Sequence, residues 1–170
     1  MKIKEYAIEN GKKVDLSKLR FSKKGTKEYV DGKKVMVRAC HDIFIEYDDG
    51  ILLITRDDFP AKGELWSVGG GIEKGTLIEE SLKKKVKEEC NLKIKEIKFL
   101  GNARTFWRTN PNGNNLGVDD IIFVYYGKGE GKLKLNNLHK NPLIINSKNY
   151  PKLRKDLHPF IKNYLDKLIK

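Results

Sequence analysis

The sequence lacks any long hydrophobic run, and it contains little cysteine. No apolar stretch approaches the ~18 residues that a membrane-spanning helix needs, and residues 1–5 do not begin an apolar signal segment. The two cysteines, Cys40 and Cys90, do not have the C-x-x-C spacing of a zinc site. These absences predict a soluble, cytoplasmic protein with reduced thiols and no membrane partner.

Acidic residues are too few to balance the basic ones. The net charge is +12 and the pI is about 9.5, and a basic surface attracts anions such as nucleotides, nucleic acids or acidic lipids. The lysines are spread along the whole chain, and Asn and Ile are also frequent, which is more typical of a genome-wide compositional bias than of a dedicated polyanion surface. We therefore expect a small nucleotide-type anion as the ligand, with RNA as the less favoured one.

A chain of 170 residues is expected to form one domain. We divide residues 1–170 into three parts: an N-terminal extension (1–32), a core (33–128) and a C-terminal segment (129–170) that ends in an amphipathic helix. In the extension, residues 14–21 are interpreted as a short helix or an edge strand, and residues 23–25 and 31–32 as turns. The C-terminal helix is interpreted as a packing element or a dimer face, and Pro159 is expected to kink or split it.

Apolar alternation and turn residues predict the elements of the core. The predicted elements are a strand from Lys34 to Ile45, a hairpin turn at Asp48-Asp49-Gly50, a return strand over 51–54, a helix after Gly75, a strand over 92–100, a polar loop over 103–119, and a buried strand over 121–126. The helix has a predicted capping box, Thr76-x-x-Glu79, and Asn91 is placed to adopt the left-handed conformation at its end.

A glycine-rich turn precedes the helix, and the helix carries paired carboxylates. Gly69, Gly70 and Gly71 allow the backbone to approach a ligand closely, and the helix start that follows offers free N–H groups. Glu88 and Glu89 offer the oxygen ligands that Mg²⁺ prefers. The combination predicts a site for a metal-chelated diphosphate.

In this stretch the chain resembles the Nudix hydrolases, whose box runs from a glycine through a glutamate to Arg-Glu-apolar-x-Glu-Glu-x-Gly-apolar. The positions that match without a gap are Gly70, Val86, Glu88, Glu89 and Leu92, and the run from Trp66 to Gly70 also looks like that family. The resemblance covers roughly residues 35–126. It implies an α/β fold, an α/β/α sandwich with a mixed sheet, and Mg²⁺ or Mn²⁺ as the cofactor.

Four positions depart from the family pattern. Thr76 stands at the first glutamate, Lys84 at the arginine and Asn91 at the second glycine. Lys85 stands at the glutamate that in many members binds metal or acts as the base. A lysine ammonium that pointed into the site would compete with Mg²⁺, whereas one that pointed into solvent would have little effect.

The resemblance implies a metal site formed by Glu88, Glu89 and the carbonyl of Gly69. A base must then come from elsewhere, and Asp119 or Asp120, after the long loop, is the candidate, with His41 as a less favoured one because a strand histidine is usually structural. Candidate substrate-binding residues are those with a phosphate-binding or stacking side chain, or a glycine backbone, near this stretch: Arg56, Gly70, Gly71, Lys84, Arg104, Trp107 and Arg108. Phe106 and Trp107 are equally compatible with covering the core, and Glu79 and Glu80 are interpreted as complementing the helix dipole.

The expected function is Mg²⁺-dependent hydrolysis of a nucleoside diphosphate linked to another moiety. An altered box also suits attack at the glycosidic carbon of a nucleotide-sugar, as in some relatives. The alternative from another class is a non-catalytic module that binds a nucleotide or RNA, with Lys85 replacing the charge of the metal. A third reading is an interaction domain that uses its C-terminal helix, with homodimers as one form of assembly.

Overall fold

A computed structural model of the protein describes residue 5 and residues 7–9, 12–19, 27–108 and 117–169. The described N-terminal elements are β1 (Ile8–Glu9), β2 (Lys12–Lys13), a 3₁₀ helix (Leu16–Leu19) and α1 (Lys27–Val35). The predicted short helix within 14–21 is thus a 3₁₀ helix, and the predicted turn at 23–25 lies outside the described residues. Among those residues, no helix is long and apolar enough to cross a membrane.

Helix α1 corrects two predictions. Asp31 and Gly32 were predicted to form a turn but lie inside the helix, where Lys27 Nζ is 2.9 Å from Asp31 Oδ2 one turn away. The strand predicted from Lys34 begins at Arg38 instead. The apolar alternation before Arg38 misled the prediction because it has no partner strand, and Val35 remains 82% exposed.

The main sheet has seven strands and is mixed. Its strands are β3 (Arg38–Tyr47), β4 (Gly50–Arg56), β5 (Leu65–Trp66), β6 (Val68–Gly71), β7 (Lys93–Trp107), β8 (Val118–Glu130) and β9 (His139–Ile145). The order is β5-β4-β3-β8-β7, with β6 also paired to β3 and β9 to β4. Strands β3 and β8 are parallel, and the other pairs are antiparallel. This confirms the predicted α/β fold with a mixed sheet.

Helices cover both faces of this sheet. The helices after β6 are α2 (Ile78–Cys90), α3 (Tyr150–Leu153), a 3₁₀ helix (Arg154–Asp156) and α4 (Pro159–Leu168). Because side chains alternate along a strand, β3 contributes Ile43 to the core cluster of α2 and Phe44 to the cluster of α4. The C-terminal helical segment is split as predicted, and Pro159 is the first residue of α4.

The ends of α2 differ in how well the sequence predicts them. The capping box is wrong, because Leu77 occupies the N-cap position and the buried Thr76 Oγ1 has no hydrogen-bond partner within the described ranges. A carboxylate oxygen of Glu5 accepts the hydrogen bond from Ile78 N–H at 2.9 Å instead. At the other end Asn91 has φ of 59°, which confirms the predicted left-handed cap.

The β3–β4 hairpin also confirms its predicted turn, since Asp48 and Asp49 have φ of 50° and 61°. The polar loop predicted over 103–119 is too long, because β7 continues to Trp107 and β8 starts at Val118. Residues 109–116 lie outside the described residues.

Strand β9 was not predicted at all. Asn141 and Pro142 interrupt its pattern, yet Leu143, Ile144 and Ile145 pair with the buried strand β4.

Candidate functional site

A cavity of about 520 Å³ opens where α2 faces strands β3 and β6. The loop after β4, the segment before β9 and Trp107 also line it. Most of the predicted glycine and acidic residues line it, namely Gly69, Gly70, Gly71, Glu88, Glu89 and Asp120. A site at this position is what the glycine turn and the acidic helix predict.

Strand β6 requires glycine because it runs very close to β3. Gly69 is paired with Asp42, and a Cβ atom at position 69 would lie 2.3 Å from Asp42 Oδ1 and 2.3 Å from the carbonyl oxygen of His41. Gly70 has φ of 145°, which disfavours other residues. The glycines therefore bring the backbone to the cavity wall.

Asp42 is a buried carboxylate of the cavity that the sequence prediction missed. Its Oδ2 accepts hydrogen bonds from Trp66 Nε1 at 2.9 Å and from Ser67 Oγ at 3.0 Å. Burial raises the pKa of Asp42 to about 6, although these two bonds and the charge of Arg56 act in the opposite direction. The sequence prediction missed it because Asp42 reaches the cavity only through the pairing of β3 with β6.

Glu89 is buried, whereas its neighbour Glu88 is exposed, and both side chains line the cavity. Burial raises the pKa of Glu89 to about 7, while the charges of Lys85 and Arg56 and the backbone of Gly69 lower it. The Oε2 atom of Glu89 is buried and accepts no hydrogen bond from the described residues. Such an atom is suited to an exogenous donor or cation.

His139, at the start of β9, faces that oxygen. Asn136 Oδ1 accepts a hydrogen bond from Leu138 N–H at 3.0 Å and lies 2.8 Å from His139 Nδ1. Because this amide oxygen is an acceptor, Nδ1 of His139 carries a hydrogen. Nε2 is 3.7 Å from Glu89 Oε2. His139 could not be predicted as a site residue, since β9 itself was not predicted.

Asp120 lines the cavity, but both of its carboxylate oxygens already accept hydrogen bonds. Arg38 binds it through two parallel hydrogen bonds, Nε to Oδ1 at 2.7 Å and Nη2 to Oδ2 at 2.8 Å. Taking a proton from water would require Asp120 to give up this arrangement. Arg56, another predicted residue, also lines the cavity and donates from Nε to the carbonyl oxygen of Pro60 at 2.9 Å.

The two consecutive lysines of α2 have different partners. Lys84 Nζ lies 2.8 Å from Glu73 Oε2, and both side chains are partly exposed. Lys85 Nζ lies 4.0 Å from Glu89 Oε1, and the Lys85 side chain is 26% exposed. The ammonium of Lys85 therefore faces the acidic wall rather than solvent.

Several predicted site residues lie outside the cavity. Asp119 pairs with Arg104 across β7 and β8, with Nη2 to Oδ2 at 2.6 Å, and Arg104 also lies over the ring of Phe106. Strand alternation places Arg104 and Phe106 on the face opposite Trp107, so only Trp107 of this group reaches the cavity. Arg108 does not line it either. We therefore leave Asp119, Arg104 and Arg108 out of the site.

His41 behaves as a structural residue. It is fully buried, its Nε2 lies 2.7 Å from Ser81 Oγ, and burial lowers its pKa to about 4. Glu79 and Glu80 lie in the first turn of α2, where acidic side chains suit the helix dipole.

Comparison with known proteins identifies the family and the fold. Residues 36–148 match the model of the NUDIX domain. The chain belongs to the Nudix family. It is also 35% identical over 124 residues to the ADP-ribose pyrophosphatase of Methanocaldococcus jannaschii, a match that covers 73% of this chain and 70% of that protein.

Solved Nudix structures share the fold at low sequence identity. The MutT protein of Methanosarcina mazei superposes with a TM-score of 0.61 at 14% identity, over 77% of this chain and 91% of that one. The NUDIX domain of Shewanella oneidensis NrtR, solved with ADP ribose, gives 0.54 at 15% identity, over 75% and 87% of the two chains. These likenesses support the predicted sandwich architecture.

The Nudix box of this chain suits a metal ion that is shared with a ligand. Nudix hydrolases generally use divalent metals, and Glu89 Oε2 and the exposed Glu88 offer carboxylate oxygens on one helix. Among the described residues, no group of three or more His, Cys, Asp or Glu side chains is arranged to hold a metal by itself. The residues therefore fit Mg²⁺ or Mn²⁺ only when water and substrate phosphate complete its coordination.

Proposed function

We propose that this Nudix protein hydrolyses a nucleoside diphosphate linked to a second moiety, with ADP-ribose as the first substrate to test. The observation that carries the proposal is the buried Glu89 carboxylate, whose Oε2 lies at the cavity beside the glycine strand and has no hydrogen-bond partner among the described residues. The likeness to an ADP-ribose pyrophosphatase supports the same substrate class. The diphosphate occupies the wall formed by α2 and β6.

Cations on two sides of the cavity bind the diphosphate in this scheme. Arg56 and Lys84 line it together with the backbone of Gly70 and Gly71, and charge-assisted hydrogen bonds to phosphate are about twice as strong as neutral ones. The exposed ring of Phe59 and the ring of Trp107 lie along the cavity and offer faces on which a nucleobase can stack.

Glu88 and Glu89 hold the divalent metal, which when bound neutralises phosphate charge and makes water more acidic. His139 Nε2 and Glu89 Oε2 lie 3.7 Å apart, and both residues line the cavity. In this scheme the Glu89 carboxylate accepts a hydrogen bond from the attacking water, and His139 positions that carboxylate. Asp120 fixes Arg38 instead of serving as the base. Water can attack such a substrate either at phosphorus or at the glycosidic carbon. The products of hydrolysis distinguish the two positions.

The proposed activity is tested with ADP-ribose and a panel of other diphosphate-linked nucleosides, assayed with and without Mg²⁺ or Mn²⁺. We expect turnover that falls about a hundredfold or more in Glu89→Gln, because this carboxylate both holds the metal and orients water. Glu80→Gln is the matched control, since Glu80 is exposed on the same helix and outside the cavity. Equal rates in the two variants would refute the role of Glu89.

A second candidate function is a non-catalytic module that binds a nucleotide. The contact between Lys85 and Glu89 favours it, because an ammonium already lies beside the carboxylate. Absence of turnover across the panel, together with tight binding of ADP-ribose in EDTA, would establish this function in place of hydrolysis.

A further inference from the structure

Lys85 occupies an interior position on the acidic face of α2. Ser81, Lys85 and Glu89 follow one another at four-residue spacing and line the cavity together. About three quarters of the Lys85 side chain is covered, and its Nζ lies 4.0 Å from Glu89 Oε1. By contrast, Lys83 on the same helix is exposed and outside the cavity.

The charges that line the cavity nearly balance. Five lysine and arginine side chains and six aspartate and glutamate side chains contribute to its walls. A glutamate at position 85, as in the family box, would leave four basic side chains against seven acidic ones. That cavity would repel a diphosphate unless divalent cations compensated the charge. With Lys85 present, a large part of this compensation is built into the protein.

Two other basic side chains of the cavity are hydrogen-bonded to both oxygens of a carboxylate, whereas Lys85 is not. Arg38 holds Asp120 through both of its oxygens, and Lys84 is bound to both oxygens of Glu73. The Lys85 ammonium is 4.0 Å from a carboxylate oxygen, which is longer than a hydrogen bond. An ammonium is a compact charge with three rotatable donors, so Lys85 is able to bind a phosphate oxygen while it stays beside Glu89.

We propose that the ammonium of Lys85 binds the diphosphate of the ligand directly and takes the place of one divalent cation. Glu88 and Glu89 then hold no more than one metal ion. The inference rests on the proposed function for the position of the diphosphate, but it does not require turnover.

Binding of inorganic pyrophosphate in EDTA tests the direct contact. Calorimetry on the full chain is expected to show binding to the wild type without metal. Lys85→Met, which keeps the length of the side chain but removes the charge, is expected to weaken binding about tenfold to a hundredfold. Lys83→Met is the matched control and is expected to bind like the wild type. Equal affinities of the two variants, or no metal-free binding to the wild type, would overturn the proposal.

Binding of Mn²⁺ in the absence of substrate tests the replacement of a cation. Electron paramagnetic resonance titration is expected to show at most one bound ion in the wild type. Lys85→Glu is expected to bind Mn²⁺ about tenfold more tightly or to bind an additional ion, because a third carboxylate replaces a like charge. Unchanged affinity and stoichiometry would show that Lys85 does not occupy the place of a metal ion.

The two proposals fail in different ways. If the wild type hydrolyses no substrate but pyrophosphate binding depends on Lys85, the enzymatic function is rejected and the role of Lys85 is retained. If the wild type hydrolyses ADP-ribose but Lys85→Met binds pyrophosphate normally, the role of Lys85 is rejected and the enzymatic function is retained.

Discussion

Asp42 and Glu89 are buried carboxylates of one cavity, but their surroundings give them different roles. Asp42 receives two hydrogen bonds on one oxygen, from Trp66 and Ser67, and thereby fixes the strand that leads into the glycines. Glu89 keeps one buried oxygen that has no hydrogen-bond partner in the part of the chain that the structure describes. Their contrast separates a carboxylate that supports the fold from one that is available to a ligand.

The raised pKa of Asp42 predicts a stability that depends on pH. Its folded-state pKa of about 6 lies above the ordinary value of 3.8, so the proton is bound more tightly in the folded state. The resulting stabilisation is complete below the unfolded pKa and is lost as pH rises through about 6. As pH rises from ~4.5 to ~7.5, the free energy of unfolding of Asp42→Asn should therefore increase by about 2 kcal/mol relative to that of the wild type.

Urea denaturation of both proteins at the two pH values measures this difference. Asp15→Asn, at an exposed aspartate just before the 3₁₀ helix, serves as the control for an altered charge. A constant difference between Asp42→Asn and the wild type across the pH range would contradict the pKa assigned to Asp42.

At the scale of elements, local chemistry made some boundaries predictable. Asp48 and Asp49 tolerate positive φ and so identify the hairpin, and Pro159 cannot donate a hydrogen bond and so starts α4. Other boundaries depend on distant partners. Strand β9 exists because β4 presents a buried edge to it, and the start of α2 is capped by Glu5 from 73 residues away. Neither contact can be predicted from a short stretch of sequence, because the partners lie far apart in the chain.

The same division applies to the site. The glycine turn and the paired glutamates could be predicted because they lie within one continuous stretch. Asp42, Arg38 and His139 could not, because each reaches the cavity through sheet pairing: β3 lies beside β6 and β8, and β9 lies beside β4. Arg104 was expected near the cavity, but alternation along β7 places it on the face opposite Trp107.

The end of α2 provides a test at this scale. Asn91 has φ of 59°, and its Nδ2 donates to the carbonyl oxygen of Lys132 at 3.0 Å. Asn91→Ala should lower the free energy of unfolding by about 2 kcal/mol, because alanine is strained in the left-handed region and the hydrogen bond is lost. Asn91→Gly removes the bond but relieves the strain, so its loss should be under about 1 kcal/mol. Chemical denaturation compares the two, and equal losses would exclude strain as the cause.

At the scale of the whole molecule, the net positive charge and the contacts in the cavity both favour an anionic substrate. The chain carries a net charge of +12, while the cavity itself is close to electrically balanced. Long-range attraction of an anionic substrate therefore comes from the entire surface, whereas the contacts in the cavity set its orientation. The two contributions differ in their sensitivity to salt, because exposed charges are screened far more than covered ones.

This difference predicts how the proposed hydrolysis responds to ionic strength. Raising KCl from ~0.05 M to ~0.5 M should lower kcat/KM about threefold or more, since screening weakens attraction of the substrate. The value of kcat should change less than twofold, because the bound substrate is sheltered from bulk ions. Steady-state kinetics at several salt concentrations measure both quantities. A kcat/KM that is independent of salt would show that the net charge has no part in capture.

The aromatic end of the cavity has a practical consequence. The protein has two tryptophans, and both of them, Trp66 and Trp107, line the cavity with their rings 5.4 Å apart. The ring of Trp66 is stacked on Phe160 of α4, and its Nε1 donates a hydrogen bond to Asp42. The whole tryptophan emission of the molecule thus originates at the proposed site, so a ligand that enters it, or a shift of α4, will change the spectrum without any added label.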